Sequence, residues 1–230
     1  MKKVHVPHSW FLTPRQAIAV QKRMAAQVRQ VVPRHPLRFV AGMDAAFSAD
    51  GRYCLAAVVL WDRAEQIVVE QHTARRKLAF PYIPGLLSFR EAPALLAALQ
   101  QLARPPDLLM CDGHGVAHPR RFGIACHVGV ICGLPAVGCA KSRLVGVHLE
   151  LGAARGSSVP LLDHDQVIGA VLRTRLGVKP VFVSPGHFID LATAQRIVLE
   201  CAARYRLPEP TRLADRLVAA WKKQVASEEP

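Results

Sequence analysis

Asp44 stands in the run Phe39-Val40-Ala41-Gly42-Met43-Asp44-Ala45-Ala46-Phe47, which is otherwise apolar. A carboxylate buried in such a strand costs several kcal/mol unless something compensates it. The compensating group is a metal ion, an arginine, or solvent at a sheet edge. Asp112 follows Leu108-Leu109-Met110-Cys111 and opens Gly113-His114-Gly115. A carboxylate at the end of a buried strand, beside backbone that allows close approach, is placed to dock a metal-bound phosphate. An Asx turn is the plainer reading of Asp before Gly. The glycine pair is no dinucleotide fingerprint, because His118 occupies the third glycine position. Glu91 comes three residues after Ser88, the spacing of a capping box, and taken alone it reads as a structural cap. Taken with the two aspartates it becomes a third carboxylate, and the set makes an oxygen-rich site suited to Mg²⁺.

Basic and aromatic groups accompany these acids. His118 precedes Pro119-Arg120-Arg121 and reads as a proton carrier or phosphate contact, or as a loop histidine with satisfied nitrogens. Lys141 follows Ala136-Val137-Gly138-Cys139-Ala140. An ammonium at a strand end can stabilise charge growing on a phosphorane-like transition state, although most lysines are merely solvated. Ser142 and Arg143 add polar reach. His114, His118 and His127, with Cys111 and Cys126, form neither an HExxH helix nor a CxxC pair, which argues against zinc. Pro81-Tyr82-Ile83-Pro84-Gly85 is a short loop stiffened by two prolines. Its aromatic tip is able to wedge into a base stack at an unstacking cost of a few kcal/mol; the alternative is a packed turn before the next helix.

The elements that must position these groups follow from local pattern. Thr13 and Pro14 form an N-cap and N1 pair, and the apolar spacing through Ile18, Met24, Val28 and Val31 predicts an outer helix ending before Pro33. Residues 37–48, 52–61 and 65–77 read as strands, with Asp50-Gly51 turning the first pair into a hairpin. Residues 88–102 and 120–132 read as helices alternating with buried strands at 107–111 and 135–140. Beyond them come irregular β-like segments over 144–175, a strand at 181–184, and helices over 190–205 and 211–225. A meander followed by βα units gives an α/β fold: one mixed sheet, antiparallel then parallel, with helices on both faces. The ribonuclease H-like order is one such sheet, and ligands then sit outside the carboxyl ends of the parallel strands, beside Asp112. One domain over 1–230 is expected, with no internal repeat.

The chain carries 30 Lys and Arg against 17 Asp and Glu, a formal net charge of +13. Such an excess attracts polyanions, so nucleic acid is the expected partner, although a general arginine bias would give the same sum. About half the residues are apolar, as in ordinary globular proteins and unlike disordered ones. The six cysteines show no CxxC pair and are expected to be reduced and mostly buried. No secretory signal opens the chain, and the longest apolar run, 128–140, is broken by Gly133 and Pro135 and too short to span a bilayer. The expectation is a cytoplasmic monomer that does not engage membranes.

Together, residues 39–47, 81–91 (PYIPGLLSFRE), 112–121 (DGHGVAHPRR), 138–144 (GCAKSRL) and 184–187 (SPGH) resemble the signature blocks of the endonuclease V family. The likeness extends through 167–175 and 207–215 in the family's order. The resemblance implies a ribonuclease H-like fold that nicks nucleic acid at deaminated adenine, at the second phosphodiester bond 3′ of the inosine. Deoxyinosine-containing DNA is the main implied partner, and inosine-containing RNA a second. It implies Asp44, Glu91 and Asp112 as ligands of Mg²⁺, with Mn²⁺ as a substitute, and His118 and Lys141 near the scissile phosphate. Asp215 becomes a further acidic neighbour on the substrate side, Tyr82 the wedge, and Gly85, Leu87, Gly113 and Ile124 the surroundings of a flipped base. On this reading Glu91 serves both as cap and as ligand. Cys126 and Cys111 depart from the family's usual Ser and aliphatic residue, which bears on packing or redox sensitivity. Two other readings are a different nuclease of the same fold, such as a junction resolvase, and a basic nucleic-acid-binding protein without chemistry, which explains the charge but not the carboxylates.

Overall fold

The computed structural model describes residues 4–228. Strands β1 (Phe39–Phe47), β2 (Tyr53–Asp62) and β3 (Ile67–Lys77) form the expected antiparallel meander. β1 then pairs in parallel with β4 (Leu108–Cys111), and β4 in parallel with β5 (Ala136–Ala140). The connections between these parallel strands run through α2 (Leu87–Leu99) and α3 (Ile124–Cys132), as parallel pairing requires. The region read as irregular resolves into a hairpin, β6 (Ser158–Asp163) and β7 (Gln166–Leu172), which joins the sheet through the antiparallel strand β8 (Val181–His187). The whole is one eight-stranded mixed sheet in the order β3-β2-β1-β4-β5-β8-β7-β6.

Alternation along the strands assigns the two faces. Ala41 and Met43 of β1, with Leu109 and Cys111 of β4, pack on one side among residues of α1 (Pro14–Ala25), α2 and α3. Val40, Leu108 and Met110 face the other side, against Ile197 and Val198 of α4 (Leu191–Cys201). Leu55, Ala57 and Val59 of β2 meet Ala214 and Val218 of α5 (Glu209–Glu228) on that same side. The sheet is therefore covered by helices on both faces. Gly42 sets how closely α5 approaches: a Cβ there would lie 2.0 Å from the backbone carbon of Pro210. α5 in turn carries Asp215.

Three local expectations change. α1 has its Thr13–Gln16 capping box but ends at Ala25 and is not a peripheral helix, since Ala17, Val20 and Met24 enter the core. Residues 120–123 precede α3 as a loop, with Arg121 at φ 53°. The N-cap of α2 is Leu86, with no side-chain cap. Ser88 lies inside the helix and its hydroxyl hydrogen-bonds His127 Nδ1 (3.0 Å), so the Ser88–Glu91 capping box does not form and Glu91 is released from that role.

Candidate active site

The site lies at the carboxyl ends of β1 and β4. The Asp112 amide donates to Met43 O (3.1 Å), which extends the β1–β4 ladder by one residue and brings the Asp112 side chain alongside Asp44. Burial, and then the negative charge of Asp112, raise the Asp44 carboxyl to about 8. Glu91, in the second turn of α2, is likewise raised to about 8 by burial and by the charges of Asp44 and Asp112. Like charges in a shared low-dielectric site oppose one another's ionisation. The three acids singled out in the sequence are thus electrostatically coupled as one acidic cluster.

Lys141, immediately past β5, supplies the cluster's cation. Its Nζ lies 2.6 Å from Asp112 Oδ2 and 3.9 Å from Asp215 Oδ1. Burial works against its charge, but the hydrogen bond and charge of Asp112, with Asp44 and Asp215 beyond, outweigh it and raise the ammonium's pKa. Of the cations, it is Lys141 whose charge bears on Asp44. Among the described residues, no group of three His, Cys, Asp or Glu side chains is arranged to hold a metal ion. The chemistry of the donors nonetheless fits one. Asp44 and Glu91 are half-buried acids with raised pKa values whose donors are all oxygen, the set a hard divalent cation takes, and a cation beside them would restore their ionisation.

Next to the cluster, a cavity of about 300 Å³ opens beneath the Pro81–Gly85 loop. Tyr82, Gly85, Leu87, Gly113 and Ile124 all line it, with His114, His118, Ser142 and Leu144. Tyr82 is 68% exposed at the mouth. Asp215 belongs with Lys141 in the acidic cluster instead of the cavity wall. Gly85 adopts φ 77°, which favours glycine, and a Cβ on it would sit 2.7 Å from Arg120 Nη2 and push that guanidinium aside.

His118 is buried and both its ring nitrogens are engaged. Nε2 donates to Gly85 O (2.9 Å) and Nδ1 accepts from the Arg120 amide (3.1 Å). Desolvation lowers its pKa to about 4 despite the Gly85 bond. This arrangement favours a loop-holding histidine over a proton carrier. Sequence reasoning missed Gln21 and gave Arg120 no particular role, yet both bond Gly85 O. A signal for Gln21 existed: it sits with Ala17, Val20 and Met24 on the apolar stripe of α1, where an amide needs partners. The six cysteines are unpaired, and burial raises Cys111 and Cys126 well above ordinary thiols.

The endonuclease V family model matches residues 20–216. The chain belongs to the endonuclease V family. It is 50% identical to the endonuclease V of Trichormus variabilis over 94% of this chain and 99% of that one, and 52% identical to that of Roseiflexus castenholzii over 94% and 97%. The crystal structure of endonuclease V from Streptomyces avermitilis superposes with a TM-score of 0.90 at 45% identity, covering 97% of this chain and 99% of the other. The Ciona intestinalis endonuclease V, crystallised with a 24mer DNA containing an inosine followed by a ribo-adenosine, matches at TM-score 0.81 and 25% identity over 92% and 98%. The fold is thus ribonuclease H-like and the protein is an endonuclease. Among the described residues no helix is long and apolar enough to cross a membrane.

Proposed function

We propose that this endonuclease recognises hypoxanthine in nucleic acid, chiefly deoxyinosine in DNA, and hydrolyses the second phosphodiester bond on its 3′ side. The observation that carries this reading is adjacency. Asp112 of the acidic cluster is followed directly by Gly113 and His114, which wall the cavity under the Tyr82 loop. A base turned into that cavity leaves its backbone running past the cluster. That the Ciona relative was crystallised on inosine-containing DNA supports it.

Asp44, Glu91 and Asp112 are the residues that would hold Mg²⁺, or Mn²⁺ in its place. The chemistry that such an ion would supply there is Lewis-acid polarisation of the phosphate and a lowered pKa for the attacking water. Lys141, held by Asp112, is positioned to offset the charge that grows on the phosphoryl oxygens. Tyr82 fills the gap left in the stack, while Gly113, Leu87 and Ile124 enclose the base. His118 keeps Gly85 in place. The excess of basic residues grips the backbone without regard to sequence. The products carry 3′-hydroxyl and 5′-phosphate ends.

The test is a pair of end-labelled duplexes, one with a single deoxyinosine and one unmodified, incubated with Mg²⁺ or with chelator. The expected result is a Mg²⁺-dependent nick one nucleotide beyond the lesion, absent from the unmodified strand. Binding without cleavage, or cleavage indifferent to inosine, would refute the proposal.

A further inference from the structure

Gln21 is 1% exposed and lies on the core face of α1, outside every motif discussed above. A buried primary amide costs stability unless all its groups are bonded. Here they are. Nε2 donates to Gly85 O (2.9 Å) and to Phe122 O (3.1 Å), and Oε1 accepts from Arg120 Nε. These partners come from two separate stretches of chain, each of which contributes residues to the cavity lining. Gly85 ends the Tyr82 loop, and Arg120 and Phe122 belong to the segment that leads into α3.

The same Gly85 carbonyl also accepts from His118 Nε2 and from Arg120 Nη2 (2.6 Å). Three donors converge on one oxygen, and Gln21 is the donor that comes from a helix. His118 and Arg120 sit together on one loop and bond each other. Leu86 and Phe122 anchor the two stretches in the core by burial, and Gln21 adds a directional bond from a helix to each. Through it both stretches are tied to α1, whose Ala17, Val20 and Met24 are fixed in the core.

Resting on the function proposed above, we infer that Gln21 is a positioning residue for base extrusion. It holds the Pro81–Gly85 loop at a set distance from the Arg120–Phe122 segment, so that Tyr82 enters the stack where the cavity can receive the displaced base. A residue that only filled space at this position would be served as well by an apolar side chain of similar length. An amide that ties three backbone or side-chain groups of two stretches together does something an apolar group cannot.

The test compares Gln21→Met, which keeps volume, with Gln21→Glu, which keeps the acceptor for Arg120 but has no hydrogen for Gly85 or Phe122. Single-turnover cleavage is measured on inosine in a duplex and on the same strand unpaired, where no partner base has to be unstacked, and thermal melting confirms folding. Both variants are expected to lose roughly tenfold on the duplex relative to the unpaired strand, since misplacement by a fraction of an ångström is felt where extrusion limits the rate. Equal losses on both substrates, or none on either, overturn the inference and leave Gln21 a packing residue. A wild-type enzyme indifferent to inosine would instead overturn the underlying reading of function, a result the same wild-type lanes report separately.

Discussion

Replacing Asp44 with Asn should stabilise the protein while abolishing its activity. Asp44 rises from 3.8 to about 8 on folding, first through burial and then through Asp112. Each unit of such a rise corresponds to about 1.4 kcal/mol, so an isolated shift of this size would disfavour the folded state by roughly 6 kcal/mol at high pH. The shift of Asp44 is shared with the charge of Asp112 and offset in part by Lys141, and the new amide needs its own partners. The net gain is therefore about 2 kcal/mol, or roughly 4–8 °C in Tm for a chain of this length. The sign fixes the pH window. Because the folded value lies above the unfolded one, the carboxyl is protonated in both states below about pH 4 and imposes no penalty. The penalty grows between there and about 8, and is complete above. Melting of wild type and Asp44→Asn in chelator from pH 4 to 9 should show curves that meet at the acid end and separate as pH rises, the variant higher. An Asp44→Asn protein that melts lower at pH 9, or a gap that does not change with pH, refutes the electrostatic account.

Since Asp44 and Glu91 both lie near 8 without a cation, binding of Mg²⁺ at pH 7 should release between one and two protons; titration calorimetry in two buffers of different ionisation enthalpy counts them, and no release contradicts the cluster. Lys141→Met removes the ammonium that sits 2.6 Å from Asp112, so metal affinity should rise while single-turnover cleavage falls by roughly 10²-fold, a divergence visible by measuring both on one preparation. Gly85→Ala places a methyl 2.7 Å from Arg120 Nη2 at φ 77°; it should lose about 1–3 kcal/mol in denaturant melts and cleave duplex substrate poorly. Gly42→Ala drives a Cβ into Pro210 and should lower Tm further than Gly85→Ala, because a packed helix and not a loop must move.

The sequence was most informative where pattern and chemistry reinforced each other. An aspartate inside an apolar strand, as at 44, and another at a strand end followed by glycine, as at 112, are local signatures, and both stand at the site. What failed had a tertiary cause. Ser88 and Glu91 have capping-box spacing, but the Ser88 hydroxyl is taken by His127, forty residues of chain away in rough count and adjacent in space. Residues 120–123 look helical by apolar spacing, yet Gly123 N bonds Gly115 O, which holds them as a loop. The β6–β7 hairpin escaped because its turn, His164-Asp165, lacks glycine: His164 takes φ 54°, a conformation that Asn-Gly would have announced. Gln21 was overlooked because a neutral amide carries no charge or nucleophile to draw attention, and its importance resides in partners 64 and 101 residues away.

A single stretch of chain couples the two halves of the site. From Asp112 in the acidic cluster it runs through Gly113 and His114 in the cavity wall to His118 and Arg120, which grip the Tyr82 loop. Along the way the Gly115 amide donates to Ser184 Oγ (2.8 Å) and the Val116 amide to Pro185 O (2.8 Å), so β8 fixes the path of the segment. His114 Nε2 donates to Ser142 O (3.1 Å), which ties the same segment to the residue after Lys141. The distance between the acids and the cavity is consequently set by backbone bonded to the sheet and not by flexible side chains. On the function proposed above, an enzyme built this way is expected to cut at a constant offset from the base it holds, whatever the neighbouring sequence. Mapping the nick on substrates with every base on the 3′ side of inosine should give one offset throughout. Ser184→Ala, which leaves the Gly115 amide without its buried acceptor, should cost about 1–3 kcal/mol and scatter the cut over neighbouring bonds. A Ser184→Ala enzyme whose cut stays at one bond would mean that β8 does not set the offset.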